Sequence, residues 1–315
     1  MWLVWTPSIR KTLWRAEQIT EFLSGNYVRA KKILPIKNIA HFHPMENKEY
    51  FEANKDAWNK RTAVHIDSSF YNNASFKAGK STLNKTELEE LGNVQGKNLL
   101  HLQCHFGQDT LSWARLGAKV TGVDISDKAI EEAKKLSSEL NIPAQFICCN
   151  VYDLFSEERK NLEEAFDIVF TSYGTIGWLP NLDKWANIIS KTLKPGGIFY
   201  MVDFHPVLWM WDDDFTHIKY AYQKESVISE EQSGTYADRD SPIQYKEYSW
   251  NHSISEILNA LINNDLSIQQ FNEFNFSHYN CFNNTVQGDN GCWYIKGMEK
   301  KLPMMYSLRA AKSTK

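Results

Sequence analysis

One stretch of the chain, residues 99–124, restricts the fold more than any other. It begins with an apolar strand and a turn that ends at Gly107, and apolar residues then recur at helical spacing as far as residue 116. A second apolar segment ends at Asp124. A strand, a turn, a helix and a strand with a terminal acid form the first half of a nucleotide-binding α/β unit. Backbone N–H groups of such a turn can approach a ligand closely, and the acid can accept hydrogen bonds from ribose hydroxyls.

The alternation of strands and helices continues to residue 202. Ser126 is predicted to cap the helix that follows Asp124, and a Pro-Gly-Gly turn ends the last helix of the series. Strands alternating with helices at this spacing predict a parallel sheet with helices on both faces. The predicted strands are 98–103, 119–124, 144–148, 166–171 and 198–202, and the predicted helices are 107–117, 127–140, 157–165 and 182–193.

The first turn resembles the first motif of class I S-adenosylmethionine-dependent methyltransferases. That motif is an acid followed by three glycines at alternate positions. The four positions here hold His101, Gln103, His105 and Gly107, so only the last glycine remains. Asp124 resembles the ribose-binding acid of the family.

Further landmarks of the family occur in the expected order. Residues 166–169 resemble the strand-four motif, and residues 193–197 resemble the turn into strand five. Asn150 stands where the family often has an acid that binds the adenine amino group. The set covers residues 96–205 and is similar to a type 11-like methyltransferase domain.

The last third of the chain fits the same fold. Residues 253–256 form a capping box before an apolar helix face, and strands are predicted at 267–276 and 302–308. A closing helix, strand, long loop and strand resembles the end of the family's sheet. The expected fold is a Rossmann-like α/β methyltransferase fold. It has a mostly parallel seven-stranded sheet with an antiparallel last strand and a small antiparallel β cap.

Four segments are predicted. Residues 1–44 form an extension with seven Lys or Arg and two acids, and translation starting at Met45 would leave it out of the native protein. Residues 45–95 form an N-terminal helical lid or, alternatively, an amphipathic helix packed on the sheet edge. Residues 96–205 and 253–315 form the methyltransferase domain, and residues 206–252 form an acceptor-binding cap.

The segment 206–252 is rich in aromatic residues. Alternating Ile218, Tyr220 and Tyr222, together with Tyr248, predict two to four antiparallel strands. Ligands bind at the carboxyl edge of an open α/β sheet, so a cap there would shape the acceptor pocket. Residues 212–214, three consecutive aspartates, either attract a cationic acceptor or form a solvated loop.

The resemblance implies S-adenosylmethionine as cofactor. It places Asp124 at the ribose and Asn150 at the adenine. His101 and His105 either contact the methionine carboxylate or pack. The other predicted cofactor-binding residues are Gln103, Cys104, Gly107, Ile125, Val151, Ser172, Tyr173, Trp58 and Tyr71, and Arg61 is a further candidate of the lid.

The methyl group of S-adenosylmethionine is already activated, so the protein mainly aligns the acceptor with it. A general base is needed only where the acceptor must lose a proton. His205 and His252 are candidate bases because imidazole titrates near neutral pH, and Asp203 is a third candidate. The alternative for each histidine is a hydrogen-bonding or capping role.

Composition limits the partners. The net charge is -3, which favours a small-molecule acceptor over nucleic acid or a membrane surface. The 5 cysteines include no C-x-x-C pair, so we expect no metal site and a reducing, cytoplasmic location. No apolar run has the length of a membrane span. A monomer or homodimer is expected.

The function predicted is methyl transfer to an unidentified small molecule by direct in-line displacement. Two other classes remain open. A non-catalytic methyltransferase-like protein would bind the cofactor without transferring its methyl group. An NAD-dependent oxidoreductase would share the first β-α-β unit, but the turn lacks G-x-G-x-x-G.

Overall fold

The structure, a computed structural model, describes residues 44–314. The prediction of a basic extension over residues 1–44 therefore lies outside the described residues, apart from Pro44. None of the helices in the described part is both long and apolar enough to cross a membrane.

A seven-stranded sheet forms the centre of the fold. Its strand order is β3-β2-β1-β4-β5-β11-β8. The first five strands are parallel, and β11 is antiparallel to both β5 and β8. This confirms the predicted, mostly parallel seven-stranded sheet. Strand β8 runs in the same direction as the first five strands, and β11 runs in the opposite direction. The strands are β1 (Asn98–Leu102), β2 (Lys119–Asp124), β3 (Ala144–Cys148), β4 (Phe166–Ser172), β5 (Leu193–Phe204), β8 (Leu266–Phe274) and β11 (Met305–Lys312).

Helices cover both faces of the sheet, as predicted. Successive strand residues point to opposite faces, so Leu100 joins the core that contains Trp185, and Leu99 joins the core that contains Trp113. The helices are α1 (Pro44–His65), α2 (Asn73–Lys77), α3 (Lys85–Leu91), α4 (Gln108–Arg115), α5 (Asp127–Glu139), α6 (Leu182–Thr192) and α7 (Ile254–Ile262).

Two predicted N-caps are present, and one predicted helix is not α-helical. Ser126 accepts a hydrogen bond from the N–H of Ala129, and Ser253 accepts one from Glu256. The helix predicted at 157–165 is instead the 3₁₀ segment Glu157–Leu162. Its ladder is interrupted at Arg159, whose φ of -121° is not helical. The guanidinium of Arg159 donates to the carbonyl groups of Leu154 and Asp153.

The segment 206–252 contains fewer strands than the predicted maximum. It forms one antiparallel ribbon, β6 (Ile228–Ser233) paired with β7 (Gln244–Ser249). The alternating residues at 218–222 form only a single bridge, between Ile218 and Trp211. Asp212 closes this region into a turn, because its carboxylate accepts from the N–H groups of Thr216 and His217.

The last strand begins later than predicted. Residues 302–308 were expected to form it, but β11 starts at Met305. Pro303 has no N–H to donate to the ladder, so pairing begins beyond it. The long loop before it contains a hairpin that the sequence pattern did not indicate, β9 (Thr285–Gln287) and β10 (Trp293–Ile295).

Helix α1 joins the ribbon to the main sheet. It packs on β7 and on α5. The Asn54 side chain completes the pairing with β7: its Nδ2 donates to the carbonyl of Tyr248 at 2.8 Å, and its Oδ1 accepts from the N–H of Tyr248 at 2.8 Å. The ribbon is therefore attached to the N-terminal helix by a strand-like pair of hydrogen bonds.

Candidate functional site

The turn after β1 keeps a glycine-type backbone although two of its residues have side chains. Gln103, His105 and Gly107 have φ angles of 57°, 50° and 82°. A non-glycine residue in this left-handed region costs about 1–2 kcal/mol. Backbone strain of this kind is characteristic of functional sites, where the surrounding structure holds it in place.

Gly107 is the one position of the turn where packing excludes a side chain. A Cβ atom there would lie 2.9 Å from the Phe146 ring and 3.0 Å from Ala133. The turn is thereby pressed against α5 and β3, and α4 starts immediately after it.

Replacing Gly107 with alanine is expected to lower the free energy of unfolding by about 2–5 kcal/mol, the sum of left-handed strain and overpacking. Urea denaturation measures this. Gly297→Ala is the matched control, since Gly297 has the same φ of 82° and no heavy atom within 4 Å of the added Cβ. An equal loss of unfolding free energy in the two variants would show that the close packing of Gly107 against Phe146 does not add to the destabilisation.

Asp124 lies at the carboxyl end of β2 and is bound to the turn. Its two carboxylate oxygens accept hydrogen bonds from the N–H of His105 at 2.8 Å and from the N–H of Ser126 at 2.9 Å. Burial raises its pKa to about 6. Each carboxylate oxygen accepts more than one hydrogen bond, so ribose hydroxyls can still bind there.

A cavity of about 940 Å³ opens at the carboxyl ends of β1 and β4. The strand order reverses between these two strands, and open α/β sheets bind ligands at that point. The structure brings all of the predicted cofactor-binding residues to this cavity, and their roles stay predictions. They are Trp58, Tyr71, Gln103, Cys104, Gly107, Asp124, Ile125, Asn150, Val151, Ser172 and Tyr173.

Three polar side-chain atoms of the first motif are buried and have no hydrogen-bond partner among residues 44–314. They are His101 Nε2, Gln103 Oε1 and His105 Nδ1, and all three residues line the cavity. Burial lowers the pKa of both histidines to about 3, so both rings are neutral. Unpaired buried polar atoms are rare, and a ligand that pairs with them would remove their cost.

Asn150, which is predicted to bind the adenine, lies at the end of the cavity near β3. Asn150 lines the cavity, but its Oδ1 accepts a hydrogen bond from the N–H of Tyr152 at 3.0 Å. This oxygen therefore caps the 3₁₀ turn Val151–Asp153, as a turn-forming asparagine does.

Helix α1 and the ribbon close one side of the cavity through Arg61. Its guanidinium lies between the rings of Trp58, Trp178 and Tyr245, at 4.6–5.1 Å from their centroids. It also pairs with the buried carboxylate of Glu247 on β7 at 2.5 Å.

A second connection runs through two histidines. His65 Nδ1 on α1 lies 2.9 Å from His105 Nε2, and His65 Nε2 lies 3.1 Å from the hydroxyl of Thr235. The helix, the first turn and the end of the ribbon are thus joined by one hydrogen-bonded chain. Tyr71 lies beside it, with its hydroxyl bonded to that of Tyr236 at 2.5 Å.

Comparison with known proteins matches this geometry. Residues 100–201 match a family described as a methyltransferase domain. Two solved structures, S-adenosylmethionine-dependent methyltransferases of Listeria monocytogenes and Methanosarcina mazei, superpose with TM-scores of 0.51 and 0.50. They cover 76% and 74% of this chain and 99% of their own, at 20% and 17% identity, and so show the fold alone. Residues 100–201 of this chain therefore form a methyltransferase domain, and the fold is the one found in S-adenosylmethionine-dependent methyltransferases.

Curated relatives agree with this assignment over part of their length. An uncharacterised methyltransferase of Synechocystis is 33% identical over 135 residues, which is 42% of this chain and 59% of that protein. A ubiquinone biosynthesis O-methyltransferase of Chromobacterium violaceum is 31% identical over 110 residues, which is 35% of this chain and 45% of that protein. The chain thus spans about half the length of these relatives.

The two solved structures with this fold are S-adenosylmethionine-dependent enzymes, and the residues around the cavity are compatible with that cofactor. The three unpaired polar atoms lie on the motif that binds the amino-acid part in the family, and the Asp124 carboxylate lies at the end of β2. In the methyltransferase domain no group of three or more side chains that could hold a metal ion is found among the described residues.

The two histidines predicted as candidate bases form hydrogen bonds away from the cavity. Neither His205 nor His252 is among the described residues that line the cavity. His205 caps the 3₁₀ helix Pro206–Met210, and its other nitrogen pairs with Glu273 at 2.9 Å. His252 Nε2 lies 2.8 Å from the carbonyl oxygen of Leu179.

Asp203, the third candidate base, does line the cavity, but its carboxylate holds the loop after β4. It accepts hydrogen bonds from the N–H groups of Gly174, Thr175 and Phe204 and from the Thr175 hydroxyl. Burial raises the pKa of Asp203. Both carboxylate oxygens are occupied by donors of this loop, so Asp203 holds the loop in this structure.

Sequence reasoning missed two aromatic residues and two acids. Phe282 and Tyr279, from the loop before β11, line the cavity with Trp209, whose ring centroid is 5.6 Å from that of Phe282. Asp109 lies in the first turn of α4, where its carboxylate accepts from Thr82 and Ser172. Its place two residues after Gly107 is the one signal that could have indicated it. The second acid is Glu87, on α3.

Proposed function

We propose that this protein transfers a methyl group from S-adenosylmethionine to a small molecule with an aromatic or otherwise flat apolar part. The observation that supports this most is the single cavity, which joins the cofactor motif to a wall of aromatic rings. Its volume of about 940 Å³ lies within the range of small-ligand pockets.

The cofactor half of the cavity is assigned to the residues of the first turn and of the β2 and β3 ends. Asp124 would bind the ribose hydroxyls, and Ile125 and Val151 would lie against the adenine. His101 Nε2 and Gln103 Oε1 would pair with the amino-acid part. When bound, the cofactor supplies a methyl group on a positively charged sulfur.

The acceptor half is assigned to the segment 206–252 and to the loop before β11. Phe204, Trp209 and Phe282 form an apolar contact surface, with ring centroids 5.0–6.0 Å apart. The three aspartates at 212–214 are not assigned a role with a cationic acceptor, because Asp212 is bonded within its own turn. A ubiquinone biosynthesis O-methyltransferase among the relatives supports an acceptor of small size.

The lid and cap roles predicted for residues 45–95 and 206–252 are retained as part of this proposal. Arg61, Trp58 and Glu247 close the cavity between α1 and β7. Opening this contact would admit the ligands, and closing it would exclude water from the reacting groups.

Calorimetric titration tests the proposal. We expect micromolar binding of S-adenosylmethionine and S-adenosylhomocysteine and no binding of NAD, since the turn lacks the dinucleotide motif. Methylation of aromatic acceptors by radiolabelled cofactor is the second readout. Cofactor binding without transfer to any acceptor would favour a non-catalytic protein, and binding of NAD alone would contradict the proposal.

A further inference from the structure

A buried acid lies directly behind the cavity wall. Glu87, on α3, is 0% exposed. Its Oε1 accepts a hydrogen bond from the hydroxyl of Tyr173 at 2.9 Å and one from Asn84 Nδ2 at 3.2 Å. Its Oε2 is buried and has no hydrogen-bond partner within the described part of the chain. Burying a carboxylate with half of its capacity unused is costly, so a structural role alone does not account for it.

Tyr173 connects this acid to the site. It follows the last residue of β4 and lines the cavity, as Asn84 and Tyr279 also do. Its backbone has a φ of 48°, in the left-handed region. The ring is held between Phe204 and Tyr279, at centroid distances of 5.8 Å and 4.8 Å. The Tyr173 ring is therefore held in place at the lining of the cavity.

We propose that Glu87, acting through the hydroxyl of Tyr173, removes the proton from an acceptor hydroxyl group during methyl transfer. This inference rests on the proposed function and deepens it. Tyr173 is the group that touches the acceptor, and Glu87 is the positioning residue behind it. Of the base candidates that the sequence suggested, the two histidines lie away from the cavity and Asp203 is bound to its loop.

The proton step balances without a further reactant. The acceptor O–H bond breaks, its proton passes to the Tyr173 oxygen, and the Tyr173 proton passes to Glu87 Oε1. The electron pair left on the acceptor oxygen forms the bond to the methyl carbon, while the carbon–sulfur pair stays on the sulfur. The negative charge of the Glu87 carboxylate and the positive charge of the sulfonium are therefore neutralised in the same step.

The surroundings of Glu87 set its protonation. The pKa of Glu87 is raised to about 7, because burial and the charge of Asp109 raise it more than the hydrogen bonds from Asn84 and Tyr173 lower it. The phenols of Tyr200 and Tyr279 also face its charge. The carboxylate form, which can accept a proton, is present above about pH 7. Turnover of a hydroxyl acceptor should therefore rise with pH through this range.

The first experiment compares variants with catechol and benzyl alcohol as hydroxyl acceptors, and with benzylamine and thiophenol as acceptors of other kinds. We expect Glu87→Gln to lower kcat about 100-fold or more and to abolish the rise near neutral pH, with KM unchanged. Glutamine keeps an oxygen that can accept the Tyr173 hydroxyl. Glu87→Asp should restore part of kcat and the pH dependence, and Tyr173→Phe should lower kcat to a similar extent.

Glu89→Gln is the control, because Glu89 lies on the same helix with an exposed side chain and should leave the pH profile unchanged. Wild-type turnover and pH dependence in Glu87→Gln would overturn the role of Glu87. Methylation of benzylamine or thiophenol alone, or of none of the four, would overturn the hydroxyl assignment. S-adenosylhomocysteine binding to the wild type, measured by calorimetry, separates these results from failure of the proposed function, since its absence contradicts the cofactor itself.

A second measurement needs no turnover. Difference infrared spectra should show a buried carboxylic acid band that disappears as the pH rises through about 7 and that Glu87→Gln removes. Tyr173→Phe should shift this band, because it removes a hydrogen bond to Oε1. A spectrum without such a band in the wild type would overturn the proposal.

Discussion

Replacing Asp124 with asparagine is expected to weaken S-adenosylmethionine binding about 10- to 100-fold, because hydrogen bonds to a charged group contribute about 1.5–3 kcal/mol. The carboxylate lies at the end of β2 beside the cavity, and its free lone pairs are the acceptors proposed for the ribose hydroxyls. Calorimetry with S-adenosylhomocysteine measures the loss. An unchanged Kd would refute the ribose role.

The stability of this variant should change much less than its affinity. Burial raises the pKa of Asp124 from 3.8 to about 6, so its contribution favours the folded state below pH 3.8 and is lost as the pH rises through about 6. Asparagine removes a charge whose burial costs about 3 kcal/mol at neutral pH. It also turns an NH₂ group toward the N–H of His105 or Ser126, which costs about 1–3 kcal/mol. The two effects nearly cancel.

A net change below about 2 kcal/mol in the free energy of unfolding would show that Asp124→Asn acts on the site and not on folding. Asp127→Asn is the matched control, since Asp127 lies three residues further along the chain and its exposed carboxylate pairs with Asn59 and Lys55. It should keep the wild-type affinity.

The largest loss of stability is expected for Arg61→Ala. Arg61 and Glu247 are 7% and 9% exposed, and removing one partner of a buried ion pair costs about 3–5 kcal/mol because the other charge stays buried. Burial already raises the pKa of Glu247 although Arg61 opposes this. The variant also loses the three ring contacts of the guanidinium.

Urea denaturation of Arg61→Ala measures this loss, and Lys60→Ala is the control. Lys60 is the residue before Arg61 and forms an exposed ion pair with Asp56, so its removal should cost less than about 1 kcal/mol. The double variant Arg61→Met with Glu247→Leu should recover much of the stability, since it leaves no unpaired charge. A loss in Arg61→Ala no larger than that in Lys60→Ala would show that the pair does not hold α1 on the ribbon.

Local patterns were sufficient for the parallel half of the sheet. The strands that end at Leu102, Asp124 and Cys148 lie within one residue of their predicted bounds, because an apolar run between a turn and a cap leaves few alternatives. The segment 206–252 was predicted less well. Of its alternating residues, Tyr248 lies on β7, Tyr220 lines the cavity and Ile218 is exposed, and alternation alone cannot distinguish these environments.

The site residues also fall into two groups, those that the local sequence predicts and those that only the tertiary structure reveals. The sequence by itself determined the β-α-β unit, the acid at Asp124 and the turn before Gly107, since these depend on neighbours within a few residues. Only the tertiary structure decided that His205 and His252 are bound elsewhere and that Glu87 stands behind Tyr173. The Glu87–Tyr173 and Arg61–Glu247 contacts join residues 86 and 186 positions apart. Contacts over such separations depend on how the helices and the ribbon pack on the sheet, and no local pattern in the chain records that packing.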